Sequence, residues 1–144
     1  MTQSSKVSVA ALSVESLMTG DVICLTPTMT IRESIETLIN NRISGAPVVA
    51  GDKTVLTVVS ESDLMKFAAM NMLETTVQTI MDKLVPASKV VAVRRQDTFK
   101  DVFKLFLTNR IRRVVVTDSS GRIQGIVSRS NILKAFMLDT DAIK

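Results

Sequence analysis

Two short stretches hold the residues best suited to chemistry, Ser60-Glu61-Ser62-Asp63 and Ser128-Arg129-Ser130-Asn131, and each follows an apolar run. A Ser that closes a strand and opens a helix has unpaired backbone N–H groups and the positive end of the helix dipole beside it, a setting that suits a phosphate. Its hydroxyl adds a hydrogen bond, and a carboxylate three residues on, Asp63, can accept from the two vicinal hydroxyls of a ribose. The same spacing is also that of an ordinary helix cap, and the two roles are compatible. Asn131 at the matching place keeps one acceptor and adds donors, which weakens a diol site without abolishing it.

The elements that must position these residues come as an echo at a spacing of 68 residues. Thr30-Ile31-Arg32-Glu33 returns as Thr98-Phe99-Lys100-Asp101, Asn41-Arg42-Ile43 as Asn109-Arg110-Ile111, and Val58-Val59-Ser60-Glu61-Ser62-Asp63 as Ile126-Val127-Ser128-Arg129-Ser130-Asn131. Two copies point to a pseudo-symmetric pair, since a solenoid needs at least about three repeats. Each copy reads as strand, helix, strand, strand, helix. In the first, Val22 to Leu25 is a strand ended by Thr26-Pro27, and Thr30 with Glu33 forms a capping box ahead of Ile31, Ile35, Leu38 and Ile39 at helical spacing. Pro47 to Ala50 and Val55 to Val59 then form strands around a turn at Gly51-Asp52-Lys53, and Ser60 opens a last helix. The second copy predicts strands at Val90 to Val93, Val114 to Thr117 and Ile123 to Val127, with helices from Thr98 to Thr108 and from Asn131 to about Leu138.

Upstream, Leu17-Met18-Thr19 matches Ile80-Met81-Asp82 at a spacing of 63, so the second copy carries five extra residues before Thr98. The expected divisions are an N-terminal extension over 1–13, a first repeat over 14–76, a second over 77–138 and a tail over 139–144. Val9, Leu12 and Val14 give the extension the pattern of a capping helix, the alternative being disorder. Met70 to Thr76 has no Pro-, Gly- or Ser-rich tract and predicts a packed connection. A unit near 60 residues is marginal alone, so the halves are expected to pack face to face.

Composition removes much enzymology. The 144 residues include no His and one Cys, Cys24, so catalytic devices built on histidine and thiolate or imidazole metal sites are absent. One thiol cannot make an internal disulfide and suits a reducing cytoplasm. The acidic residues lack the paired spacing of an acid and base couple, and no nucleophile has an activating partner. No apolar run approaches the roughly 20 residues that span a bilayer. The five Phe, with no Trp or Tyr, leave few stacking platforms for single-stranded nucleic acid. Charge is uneven: residues 1–76 hold five Lys and Arg against eight Asp and Glu, whereas 77–144 hold 13 against six. The basic half, Arg94, Arg95, Lys100 and Lys104 included, reads first as a solvated surface, and Met65, Met70, Met72 and Met81 as core filler.

The order of Met-Thr-x-Asp-Val, strand, Thr-Pro, helix with Asn-Arg-Ile, Ser-Gly-Ala-Pro-Val-Val, turn, apolar strand and Ser-x-Ser-Asp-Leu resembles a cystathionine-beta-synthase (CBS) domain, and the second copy resembles the other half of a CBS pair, or Bateman module. The resemblance covers about residues 14–138. It implies an α+β fold of two pseudo-twofold β-α-β-β-α repeats packed through their sheets, and a non-catalytic regulatory module with no required cofactor. The implied ligand is adenosine-containing, of the AMP, ADP or ATP class, held in clefts between the copies.

By the family pattern, one cleft combines Ile126, Ser128, Ser130 and Asn131 with Thr19, Val22, Ile43 and Ser44. Arg112 and Arg113 stand where the family places phosphate-binding side chains. The other cleft combines Val58, Ser60, Ser62 and Asp63 with Asp82, Val91, Ile111 and Arg112. There Ser44-Gly45 replaces the arginine pair and Thr57 stands in place of Gly125, which is expected to bring a side chain close to the ligand, so the clefts are expected to differ. The resemblance also implies a homodimer and an output through a separate effector or a longer protein, with no membrane partner. The competing reading is a nucleic-acid-binding protein that uses the basic second repeat, and salt dependence separates the two.

Overall fold

The computed structural model describes residues 8–143, with side chains through Leu138. In chain order its elements are α1 (Val14–Leu17), α2 (Ile31–Asn41), β1 (Gly45–Val49), β2 (Val55–Ser60), α3 (Glu61–Ala69), α4 (Val77–Ile80), β3 (Ala92–Val93), α5 (Phe99–Asn109), β4 (Arg113–Thr117), β5 (Ile123–Ser128) and α6 (Arg129–Ile143). Single 3₁₀ turns lie at Val9–Ala11, Met81–Lys83 and Ala87–Lys89. The fold is α+β, and the chain gathers into two compact units. The first comprises Val22–Val90 and Ser120–Ile123; the second comprises the described residues up to Asp21, Val91–Ser119 and those from Gln124 onward.

Sequence dictates the helix ends directly. Thr30, Ser60 and Thr98 each close a reciprocal capping box, with Glu33, Asp63 and Asp101 bonding back to the cap's own N–H. Hydrogen bonds from the Thr98 N–H and hydroxyl hold the Asp101 carboxyl below the ordinary carboxylate range. At the other end of α2 and α5 the repeated Asn-Arg-Ile acquires a structural meaning. The amides of Asn41 and Asn109 bond back to the carbonyls of Thr37 and Leu105. The arginines then turn left-handed, with φ +54° at Arg42 and +51° at Arg110, a conformation that glycine adopts at far lower cost. Ile43 and Ile111 return the chain to the apolar interior.

In the first unit β1 and β2 pair antiparallel, Pro47 opposite Val58 and Gly45 opposite Ser60. β1 is buried at every residue, whereas β2 alternates, as expected of a central strand beside one with a solvated face. The strand expected at Val22 to Leu25 shrinks to a single parallel bridge at Leu25, whose N–H reaches the Pro47 carbonyl at 2.8 Å and whose carbonyl takes the Val49 N–H at 2.9 Å. Pro27 follows two residues later and stops the ladder. In the second unit the sheet order is β3-β4-β5, β3 running parallel to β4 and reduced to two residues of the four expected.

The core of the first unit includes Leu25, Ile31, Leu38, Val48, Val59, Leu64, Phe67, Val77 and Ile80. That of the second includes Val14, Leu17, Phe99, Val102, Val114, Val116, Val127 and Ile132. Phe99 also stacks on Phe103 and meets Phe136 edge-on, with centroids 5.4 and 5.2 Å apart. Met72 and Met81 pack against the first core as expected, but Met65 and Met70 do not. Met65, on the outer side of α3, lines an apolar groove of about 510 Å³ with Ile35, Ile39, Leu64 and Ala68.

The stretch ahead of each repeat's first strand packs in a consistent way. Residues 72–80, which lead toward the first strand of the second repeat, lie across the start of α2 of the first: Arg32 and Ile31 donate to the Leu73 and Thr75 carbonyls, and Val77 donates to that of Met29. Residues 12–15, which lead toward the first strand of the first repeat, lie across the start of α5 of the second: Phe99 donates to the Leu12 carbonyl, Val14 to that of Asp97 and Glu15 to that of Arg95. The bridges Thr30–Thr76 and Ser13–Thr98 are the same contact made twice. Each repeat therefore lends its leading strap to the other repeat's unit. Of the capping helix expected through Val9, Leu12 and Val14, the structure holds only a 3₁₀ turn at Val9–Ala11 and, after extended Leu12 and Ser13, the single turn of α1; residues 1–7 lie outside the described residues. No helix among the described residues is long and apolar enough to cross a membrane.

Candidate functional site

The Ser60–Asp63 turn lies in the first unit, where β2 runs into α3. The Ser60 hydroxyl sits 3.3 Å from the Asp63 N–H, which it caps, and Asp63 Oδ2 takes both the Ser60 N–H and the Ser60 hydroxyl at 2.9 Å. Ser62 closes the group, its hydroxyl 3.0 Å from that of Ser60. One oxygen of Asp63 thus does all the capping, and the other, Oδ1, has no protein partner among the described residues. The Glu61 N–H is tied to the Ser44 carbonyl at 2.9 Å, which fixes the loop before β1 against the start of α3. Ile43, Ser44 and Val22, all half-buried, belong to this same unit.

The Ser128–Asn131 turn is the counterpart in the second unit, where β5 runs into α6. Asn131 Oδ1 accepts from the Ser128 N–H at 2.7 Å and from its hydroxyl at 2.9 Å, repeating the cap. Its Nδ2 donates to the Leu17 carbonyl at 2.9 Å and lies 3.5 Å from the Thr19 hydroxyl. Thr19 and Ile126 exchange both backbone hydrogen bonds, at 2.9 and 3.0 Å. The structure therefore gathers Thr19, Ile126, Ser128 and Asn131 in one place, with Ser130 exposed on the first turn of α6. Ile111, Arg112 and Arg113 belong to the same unit, and the Arg129 N–H points at the Arg112 carbonyl at 3.3 Å.

Thr57 and its counterpart Gly125 meet different neighbours. Thr57 is 1 % exposed, and its hydroxyl donates to the Val85 carbonyl of the strap that passes it, so no side chain is pushed toward open space. A Cβ on Gly125 would overlap Met18 Sδ and stand 2.9 Å from its Cγ and 3.0 Å from the Thr19 carbonyl oxygen. Both positions are where a strap crosses the strand; one is stitched by a hydroxyl and the other is kept bare for a thioether. The electrostatics also differ in a way readable from the echo, because Glu61 and Ser44 of one turn become Arg129 and Arg112 in the other. Elsewhere, burial raises the Cys24 thiol above its ordinary range. Among the described residues no group of three potential metal ligands comes together.

Known proteins bear on this geometry. Residues 14–69 and 75–138 each match the family model described as the CBS domain. The chain is 29% identical over 163 aligned positions to the chloroplastic CBS domain-containing protein CBSX1 of Arabidopsis thaliana, covering 94% of this chain and 68% of the relative. It spans less than half the length of several further curated relatives. The crystal structure of CBSX2 in complex with AMP superposes with a TM-score of 0.75 at 25% identity, covering 88% of this chain and 96% of the other. The CBS domain pair of protein MJ0100, solved with 5′-methylthioadenosine and S-adenosyl-L-methionine, has the same fold at TM-score 0.76 and 21% identity, covering 88% and 97% of the two chains.

Proposed function

Because this chain belongs to the CBS-domain family over both of its repeats, we propose that it is a non-catalytic regulatory module that binds an adenosine-containing ligand of the AMP, ADP or ATP class. The observation that carries the reading is the uncommitted Oδ1 of Asp63, an acceptor beside a helix N-terminus, where a ribose diol and a phosphate can be met together. Solved relatives that hold AMP or S-adenosyl-L-methionine support the ligand class. Ser60, Ser62 and Asp63 form one recognition turn, and Ser128, Ser130 and Asn131 the other. Val22 and Ile43 supply apolar surface in the first unit and Ile126 in the second, and Thr19, Ser44 and Ile111 flank the turns of their own units. Arg112 and Arg113 supply guanidinium forks suited to phosphate oxygens.

A ligand of this kind acts by binding one arrangement of the module better than another, which an effector protein can then read. The exposed Ile39 and Met65 of the first unit, and Leu107, Leu133 and Met137 of the second, fit burial against a second copy, so the working form is a homodimer. A free thiol at Cys24 suits a reducing compartment, taken here as the cytoplasm.

The test is calorimetry and thermal shift with adenosine, AMP, ADP, ATP, NAD and S-adenosyl-L-methionine. The expected result is stabilisation by at least one of them, with Arg113→Ala weakening the phosphorylated ligands and sparing adenosine. No response to any of them at millimolar concentration sinks the proposal, and an affinity for duplex DNA that collapses with salt would favour the basic half as a nucleic-acid surface instead.

A further inference from the structure

Each unit has a helical face with exposed apolar side chains, α2 with α3 in the first and α5 with α6 in the second, and the echo lets the two be compared position by position. Ile39 and Leu107 correspond at the 68-residue spacing, both 68 % exposed, and so do Met65 and Leu133, at 67 % and 65 %. Beside them the two faces have become opposite in shape. In the first, Ile35 and Ala68 leave open the groove of about 510 Å³ that α2 and α3 line together. In the second, the same positions are Phe103 and Phe136, whose rings meet edge-on with centroids 5.5 Å apart, and Phe136 is still 38 % exposed beside Met137 at 60 %. One face is a hollow and the other an apolar ridge.

Charge has diverged on the same faces. Glu36 on α2 becomes Lys104 on α5, and Glu61 on the rim of the groove becomes Arg129 at the start of α6, while Arg42 with Arg110 and Lys66 with Lys134 keep their sign. All eight side chains are exposed. Second units of two copies set against each other would bring Lys104, Arg110, Arg129 and Lys134 against the same four cations. The first unit instead offers that face two carboxylates and an apolar hollow, which is the complementary arrangement.

We propose that the α2–α3 groove of one copy of this chain receives the Phe136 ridge of another copy, unlike units meeting, with Glu36 and Glu61 facing Lys104 and Arg129 across the contact. This rests on the homodimer reading above and adds to it which surfaces pair. Two different faces meet, and made reciprocally by two copies the contact closes as a twofold pair. The exposed apolar area drives the association, and the charges choose its partner face, because like-charge juxtaposition suppresses the pairing of like units.

Sedimentation equilibrium at low salt measures the self-association. Glu61→Arg and Arg129→Glu are each expected to weaken it roughly tenfold, and the double variant to recover most of that loss, because the pair is rebuilt in reverse. Arg129→Glu that leaves association unchanged or tightens it, as it would where second units meet each other, overturns the pairing, and so does a double variant no better than the weaker single one. Should a reversal cost the fold, cross-linking decides the same point. In a Cys24→Ser background, Met65→Cys chains are mixed with Leu133→Cys chains, allowed to exchange and treated with a short bismaleimide. Links should form in the mixture and be scarce in either population alone; links formed chiefly within one population overturn the inference and leave the homodimer standing. A wild-type chain that sediments as a monomer overturns the homodimer reading and this inference together.

Discussion

Gly125→Ala is the sharpest mechanical test of how the strap is seated. Gly125 is buried in β5 at an ordinary φ, so the backbone itself accepts Ala, and the smaller entropy of the unfolded chain favours the variant by about 0.4–1 kcal/mol. Against this, the new methyl overlaps Met18 Sδ and stands 2.9 Å from Cγ and 3.0 Å from the Thr19 carbonyl oxygen. The thioether can swing, but the carbonyl is held by its bond from Ile126. Overpacking costs about 1–3 kcal/mol, and against a fixed carbonyl the upper part of that range, about 2–3 kcal/mol, applies, which leaves a net destabilisation of about 1–2.5 kcal/mol. For a chain of this length that is a fall in Tm of roughly 3–8 °C. Urea denaturation of the wild type, Gly125→Ala, Met18→Ala and the double variant closes a cycle. Removing Met18 clears the worst overlap, so a coupling energy of about 1 kcal/mol or more should favour the double variant. Gly125→Ala as stable as the wild type, or strictly additive effects, would refute the account of why this glycine is a glycine.

Three further expectations follow from single features. Arg42→Gly relieves a left-handed arginine at the end of α2 and should raise the urea midpoint by the equivalent of about 0.5–1 kcal/mol; a loss of stability would mean that the Arg42 stem packs more than its exposure suggests. Leu107→Glu with Leu133→Glu, at side chains 68 % and 65 % exposed, should leave Tm nearly unchanged while moving the sedimentation coefficient to that of a monomer, and a dimer that persists would place the interface elsewhere. Burial raises the Cys24 pKa, so the folded chain holds less thiolate than the denatured chain at pH 8; iodoacetamide should alkylate it more slowly when folded, and the two rates should converge as pH climbs past the raised value.

The 68-residue echo made the elements legible because it paired every helix with a second witness. The Thr-x-x-Glu and Thr-x-x-Asp boxes and the Ser-opened α3 stand where the spacing placed them. The first strand of each repeat was overestimated, since an apolar run of four reads as a strand even when Pro or a short partner permits only one or two pairs. Met65 was misjudged because α3 is apolar on more than its buried side. The exchange of straps was legible only through the family resemblance, which sets Thr19 with Ile126, Ser128 and Asn131, and not from periodicity. Periodicity tells which face of a segment is buried but not which copy of a repeat receives it, so the crossings at Gly125 and Thr57 carry no mark in the sequence. At the candidate site, the turns were visible as motifs, but the commitment of Asn131 to Leu17 joins residues 114 apart in sequence and leaves no local trace.

The lending of straps also sets an order of events during synthesis. The second unit is assembled from the described residues up to Asp21 and from segments that begin only at Val91, so Val14 and Leu17 leave the ribosome long before Phe99 or Val127 exists to bury them. At about 5–20 residues per second, the wait from Asp21 to Val91 alone lasts roughly 4–14 s. The first unit, complete by Ile123, has its full set of parts earlier and can condense while the strap is still unpartnered. A nascent chain stalled near that point would present Val14, Leu17 and Met18 as an exposed apolar segment. Chaperone capture or premature aggregation should therefore concentrate on the segment Val14 to Met18, which is made well before the residues that bury it.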